Sequence, residues 1–137
     1  MKKCFGIIVA SICLLSFTAC VSNKKIVLPA PENLTGIEIS ENTSESVKKL
    51  TDKEGISKLI NGIKEHSKST NIESVNDQPV NVEHYIIIKF YHQNAEENPS
   101  IAYLYRKKDS HYIEQPYAGI WKLENEIVQT IDAHLLK

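Results

Sequence analysis

Tyr85-Ile86-Ile87-Ile88-Lys89-Phe90-Tyr91-His92 is the stretch of sequence that decides the fold. Ile86, Ile88 and Phe90 are two positions apart, so they face the same side of an extended chain. The other side is also apolar or aromatic, apart from Lys89. A run of β-branched and aromatic residues that is apolar on both faces predicts a central strand of a sheet.

Two more strands are predicted after this one. Residues 101–106 and residues 111–114 both alternate large apolar or aromatic side chains with other residues. The polar sequence Lys107-Lys108-Asp109-Ser110 between them predicts a hairpin turn. Pro116 has no amide hydrogen, so the third strand should end before it. We therefore expect an antiparallel meander of three strands, with residues 93–99 as a polar loop.

The chain before the central stretch predicts two short strands and a helix. Residues 34–40 alternate as a half-buried strand, and residues 46–50 form a candidate second strand. Thr51-Asp52-Lys53-Glu54 is a capping box, in which the Thr51 hydroxyl and the Glu54 carboxylate would satisfy backbone amides at the start of a helix. The spacing i, i+3, i+4, i+7 of the following apolar residues gives that helix one buried face: Ile56, Leu59, Ile60 and Ile63.

The remaining segments complete the predicted domain. Residues 68–83 are polar and form a long connection with turn residues. A last helix begins at about Glu124 and directs four apolar residues to the core: Ile127, Val128, Ile131 and Leu135. The predicted fold class is therefore α+β, with a small antiparallel sheet in the order ββα–βββ–α, packed with two amphipathic helices in a single domain of residues 34–137.

The first twenty residues predict where the protein is located. Lys2 and Lys3 precede an apolar run that is too short to span a bilayer, which is typical of a secretory signal peptide. The run ends in Leu15-Ser16-Phe17-Thr18-Ala19-Cys20, which resembles the lipobox of bacterial lipoproteins, although Phe17 stands where that family usually has leucine. The resemblance implies a signal peptide of residues 1–19 and a diacylglycerol on Cys20. An ordinary secreted protein and an uncleaved membrane anchor are the alternatives.

Composition narrows the functional classes. The chain has 137 residues and a formal net charge of −1, so it lacks the basic surface that nucleic-acid binding requires. Its three cysteines are Cys4, Cys13 and Cys20, so none falls in the predicted domain. Residues 20–33 contain Pro29 and Pro31 and predict the lipidated cysteine and an extended tether. Alternatively, Ile26-Val27-Leu28 docks on the domain as an edge strand.

The chain from about Leu34 to the C-terminus resembles a family of small bacterial lipoproteins known as domain of unknown function 5301. Three stretches carry the resemblance: the helix start described above, Ser74-Val75-Asn76-Asp77-Gln78-Pro79, and Tyr112-Ile113-Glu114-Gln115-Pro116-Tyr117-Ala118-Gly119-Ile120-Trp121. The resemblance implies an extracytoplasmic, lipid-anchored domain. It implies no activity.

The candidate binding residues are Tyr117, Trp121, Asn76 and Asp77, which lie in these two motifs. Gly119 takes positive φ freely, so we expect the backbone to turn there and to aim Trp121 at the core, leaving Tyr117 partly exposed. The six tyrosines and the tryptophan favour cross-strand packing over a binding surface.

No catalytic motif, no cofactor motif and no histidine pair with metal-ligand spacing is present in the sequence. The functional prediction is a lipid-anchored, non-enzymatic binding or accessory module at the cell membrane, whose partner is an unknown protein or a small ligand. A small envelope hydrolase and an inhibitor or immunity-type lipoprotein are the alternatives.

Overall fold

The computed structural model describes residues 24–137, so the predicted signal peptide and Cys20 lie outside the described residues. Seven strands form one sheet, and two helices pack on it. In chain order the elements are β1 (Leu34–Glu41), β2 (Val47–Leu50), α1 (Lys53–Glu65), β3 (Ser67–Ile72), β4 (Tyr85–His92), β5 (Ala95–Lys107), β6 (Ser110–Gln115), β7 (Gly119–Leu123) and α2 (Asn125–Leu135).

The sheet is built around β4, as its sequence predicts. The strand order is β2-β1-β4-β5-β6-β7-β3, and every neighbouring pair is antiparallel. Ile88 and Phe90 of β4 are fully buried, and the meander β4-β5-β6 ends at Gln115, directly before Pro116. The predicted α+β class and the antiparallel sheet are therefore confirmed.

Two strands were not predicted, β3 and β7, and both lie beyond β6 in the sheet. β3 occupies the start of the segment predicted to be a connection, and it is polar because it is an edge strand that pairs only with β7. β7 follows β6 through a turn of three residues and buries Trp121 and Leu123. β5 also begins earlier than predicted, at Ala95, so the expected polar loop of residues 93–99 is mostly strand.

Helix α1 begins one residue later than the capping box predicts. Asp52, not Thr51, is the N-cap, and its Oδ2 accepts a hydrogen bond from the Gly55 amide at 2.7 Å. The helix ends at Glu65, and His66 is its C-cap. The four residues of its predicted buried face are all buried: Ile56, Leu59, Ile60 and Ile63.

Both helices contribute to a single core on one face of the sheet. Gly62 of α1 lies at their contact, because a Cβ there would lie 2.7 Å from Ile127 Cδ1 of α2 and would require that methyl group to move. Ile127, Val128 and Ile131 of α2 are buried in this core. No helix within residues 24–137 is long and apolar enough to cross a membrane.

Residues 24–33, which we call the docked segment, pack on the domain. Ile26 and Leu28 are buried in the core, and the segment ends in a short 3₁₀ helix, Pro31–Asn33. The segment forms no strand, so docking occurs by side-chain burial and not by the edge pairing considered above. Of the predicted tether, residues 24–33 are therefore part of the folded unit.

The docked segment crosses one end of the sheet. Trp121 Nε1 of β7 donates to Lys24 O at 2.7 Å, and Gln115 Nε2 of β6 donates to Val27 O at 2.8 Å. At the last residue of the segment, Asn33 O accepts a hydrogen bond from the amide of Gln93, which directly follows β4, at 3.0 Å. We call this the segment end of the sheet. Strands β4 and β6 begin, and β1, β5 and β7 end, at the opposite end.

Candidate functional site

The two motifs that carry candidate binding residues meet in the structure. Ser74 Oγ donates to Glu114 Oε1 at 2.6 Å, and Tyr117 Oη donates to Asp77 Oδ1 at 2.7 Å. The first bond holds the segment after β3 to strand β6, and the second holds it to the turn after β6. The polar segment of residues 73–84 is therefore fastened over the sheet.

Glu114 is a buried carboxylate on the face of the sheet opposite to the helices. Its neighbour Ile113 is in the core, and successive side chains of a strand alternate between faces. Both Glu114 and its donor Ser74 are buried. Burial, and next the negative charge of Glu114, raises the pKa of the Tyr105 hydroxyl far above its usual value. Tyr105 therefore stays neutral beside the carboxylate.

The four candidate binding residues do not form one site. Tyr117 is 69% exposed, and the hydrogen bond to Asp77 raises the pKa of its hydroxyl. Asn76, the residue before Asp77, is also exposed. Trp121 is 2% exposed, so its ring belongs to the core and is not available at the surface. Sequence reasoning correctly expected Trp121 to be buried, but Tyr117 is more exposed than expected.

The turn between β6 and β7 differs from the prediction. Positive φ occurs at Tyr117, at 58°, and at no glycine of the described residues. Gly119 is needed for another reason, because a Cβ there would lie 3.0 Å from Cη2 of Trp121. The glycine makes room for the indole ring, while Tyr117 takes the left-handed conformation that reverses the chain.

Four of the five remaining tyrosines pack in pairs across the strands, as favoured from the sequence. Tyr85 and Tyr103 meet edge to face with ring centroids 5.4 Å apart. Tyr105 and Tyr112 stack with centroids 5.9 Å apart. Such pairs stabilise sheets, so these rings need no ligand to explain them.

A cavity that the sequence did not predict lies at the end of the sheet opposite to the docked segment. Its volume is about 270 Å³. It is lined by the ends of β1, β4, β5 and β6 and by helix α2, so we call this end the cavity end. Its lining residues are Glu41, Asn42, Thr43, His84, Tyr85, Ile86, Leu104, Tyr105, Arg106, His111, Val128 and Asp132.

The cavity combines an apolar wall with polar groups that can form hydrogen bonds. Ile86, Leu104 and Val128 supply the apolar wall. Nδ1 of His111 is buried without a hydrogen-bond partner among the described residues. Arg106 Nε donates to Lys108 O at 3.2 Å. Its Nη2 lies 3.9 Å from Asp109 Oδ1, which is too far for a hydrogen bond, so most of its donors remain available. The lining comes from five separate parts of the chain, and no local motif could have revealed it.

A histidine and a serine lie close together outside the cavity. His92 Nε2 lies 2.6 Å from Ser100 Oγ at the segment end. Among the hydrogen bonds of residues 24–137, none joins a carboxylate to the other nitrogen of His92, so the orienting group of a serine–histidine triad is not formed there. Within the same residues, no group of three or more histidine, cysteine or acidic side chains comes together to hold a metal ion.

The family follows from a comparison of the sequence with family models. The family model DUF5301, described as "Domain of unknown function (DUF5300)", matches residues 22–122. The chain belongs to this family. The match includes the docked segment, both motifs and strands β1 to β6. It ends at Lys122, one residue before the end of β7.

Two further comparisons complete this result. No curated protein matches the chain. The chain is similar to a solved structure described as the NMR structure of the protein from Ruminococcus gnavus, with a TM-score of 0.62 and 29% sequence identity. That similarity covers 74% of this chain and 94% of the other. This chain and that solved structure therefore share the fold, and neither the family's description nor the structure's names an activity.

Proposed function

We propose that this protein is a lipid-anchored, non-enzymatic binding or accessory module on the extracytoplasmic face of the cell membrane. The N-terminal sequence supports the anchor: Lys2 and Lys3, a short apolar run, and Cys20 directly after small residues. A diacylglyceryl group carries two acyl chains, which is what stable membrane attachment needs. The domain of residues 24–137 would then be the part that meets a partner.

The single observation that supports a binding role is the cavity at the cavity end. Its buried His111 Nδ1 and the guanidinium of Arg106 are polar groups that a ligand could satisfy, beside an apolar wall. Ligand sites generally combine an apolar lining with a few polar groups that fix orientation. The proposed ligand is an apolar body carrying a carboxylate that pairs with Arg106 and lies away from Glu41 and Asp132, which also line the cavity. A small molecule or a protein partner could supply it.

The anchor is tested by the Cys20→Ser variant. We expect it to move from the membrane fraction to the soluble extracytoplasmic fraction and to lose incorporation of a labelled fatty acid. Cys13→Ser is the matched control, because Cys13 lies in the predicted signal peptide and is removed on processing. Unchanged labelling and fractionation of the Cys20 variant would refute the anchor.

The binding role is tested with short aliphatic and aromatic carboxylates and the corresponding amides, observed by NMR chemical-shift changes. We expect the carboxylates, and not the amides, to shift signals of His111 and Val128. Arg106→Gln should weaken that response, while Lys108→Gln on the same hairpin should leave it unchanged. Equal responses to acid and amide, or an unchanged response in Arg106→Gln, would refute the proposed chemistry. The two alternative functions, a small envelope hydrolase and an inhibitor or immunity-type lipoprotein, remain predictions from the sequence.

A further inference from the structure

Four apolar side chains near Lys24 are exposed, among polar neighbours that include Glu73. Val27, Ile72, Val75 and Tyr117 are 77%, 58%, 68% and 69% exposed. Isolated exposed apolar side chains are common, but a cluster of them marks a surface that contacts something else. Contacts of neighbouring residues place each of these four side chains near the segment end.

These contacts place each residue near the point where the chain enters the domain. Lys24 Nζ donates to Ala118 O at 2.8 Å, in the turn that contains Tyr117. Ile72 lines the same surface depression as Lys24 and Ala118. The Val27 carbonyl accepts from Gln115, which begins that turn.

Val75 is placed by its neighbours in the chain. Ser74 bonds to Glu114 near the end of β6, and Asp77 bonds to Tyr117 in the turn that follows. Val75 lies between these two fixed positions, so it is held beside the same turn.

The length of chain between Cys20 and this surface identifies the occupant. Three residues separate Cys20 from Lys24, which is fixed by hydrogen bonds through both its carbonyl and its amine. Four Cα-to-Cα steps span at most about 14 Å when fully extended. The headgroup region of one leaflet is only about 5–8 Å thick. A lipid on Cys20 therefore holds the surface around Lys24 at the membrane.

We infer that Val27, Ile72, Val75 and Tyr117 form a surface that contacts the lipid headgroup region of the bilayer to which Cys20 is anchored. This inference rests on the proposed lipid anchor. Tyrosine favours the membrane interface because its ring is apolar and its hydroxyl is polar. Lys25 is exposed beside Val27 and can reach lipid phosphates while its stem lies on apolar surface.

This orientation directs the cavity end away from the bilayer. Strand β4 runs from Tyr85, which lines the cavity, to His92 at the segment end. Its eight residues span about 26 Å at 3.3 Å per residue. The cavity would then face outward, where a carboxylate ligand or a partner can reach it.

The test uses the full acylated protein in vesicles of phosphatidylcholine and phosphatidylglycerol, with a fluorophore on one introduced cysteine. Cys20 is the only cysteine after residue 19 and is blocked by the lipid, so labelling is specific. Ile72→Cys and Val27→Cys report the proposed surface. Val47→Cys is the matched control, because Val47 is also exposed but pairs with Ser40 near the cavity end. Nitroxide-labelled lipids quench only fluorophores that lie close to the bilayer.

We expect strong quenching of labels at positions 27 and 72 and little at position 47. Adding Val75→Asp and Tyr117→Asp to the Val27→Cys protein should reduce that quenching. Equal quenching at all three positions, or none, overturns the inference. Protection from aqueous iodide without quenching by lipid would indicate a second copy or another protein and also overturns it. Vesicle flotation is read separately: if the acylated chain does not float with vesicles, the proposed anchor itself fails.

Discussion

Replacing Trp121 with alanine tests whether the motif between β6 and β7 is architectural. The ring is 2% exposed and belongs to the core cluster, and its Nε1 donates to Lys24 O at 2.7 Å. Removing a buried tryptophan side chain typically costs about 3–5 kcal/mol, because its contacts are lost and a cavity remains. A domain of this size has only about 5–15 kcal/mol of stability in total. We therefore expect a large loss of stability.

The expected fall in Tm is about 10–30 °C, from the enthalpy and entropy scale of small domains. Far-UV circular dichroism must be used for the melt, because Trp121 is the only tryptophan and its fluorescence disappears with it. Tyr117→Ala is the matched control. Tyr117 is exposed and loses one hydrogen bond at the surface, so its free energy of unfolding should change by less than about 1 kcal/mol.

The outcome that would refute this reasoning is specific. If Trp121→Ala melts at the wild-type temperature, the ring does not belong to the core and the motif is not architectural. If Tyr117→Ala instead causes the larger loss, the turn is stabilised by Tyr117 and Asp77, and the assignment of roles within the motif is reversed.

Three further predictions test local features of the fold. Asp52→Ala should lower the free energy of unfolding in urea by about 1 kcal/mol, because it removes the N-cap of α1, whereas Thr51→Ala should have little effect. The hydrogen bond between His66 and Glu124 raises the pKa of His66 above 6.5 and lowers the pKa of Glu124 below 4.5. The stability contributed by His66 is lost as pH rises through the pKa of His66 in the folded protein. The stability contributed by Glu124 is lost as pH falls through the pKa of Glu124 in the folded protein. The pair should therefore stabilise the fold most between pH 4.5 and 6.5. His66→Gln should remove the fall in Tm above that range. Gly119→Ala should destabilise by about 1–3 kcal/mol, because the new Cβ crowds the indole ring, and a thermal melt equal to wild type would contradict this.

The parts of the fold with strong side-chain periodicity were predictable from the sequence. β4 and both helices bury most of the apolar residues whose spacing identified them. β3 was missed because an edge strand needs backbone pairing on one side only and buries few side chains. The N-cap was placed one residue early because Thr51 and Asp52 are both good capping residues and lie next to each other.

The candidate site depends on contacts between distant parts of the chain, and a single sequence does not determine these. The sequence identified Asp77 and Tyr117 separately, but not the hydrogen bond between them. The cavity was not predicted because Arg106 and His111 acquire their surroundings only when β1, β4 and α2 come together at the cavity end. Docking of Ile26 was left open for the same reason, since a short apolar stretch shows no partner.

The contact between Lys24 and Trp121 has a consequence for the order of folding. It joins positions 97 residues apart, and such non-local contacts form slowly because a long loop must close first. Ile26 and Leu28 have no complete binding surface until β7 has been synthesised and paired with β6. The earliest residues of the domain to leave the ribosome therefore belong to the part of the core that cannot close until nearly the whole chain is present.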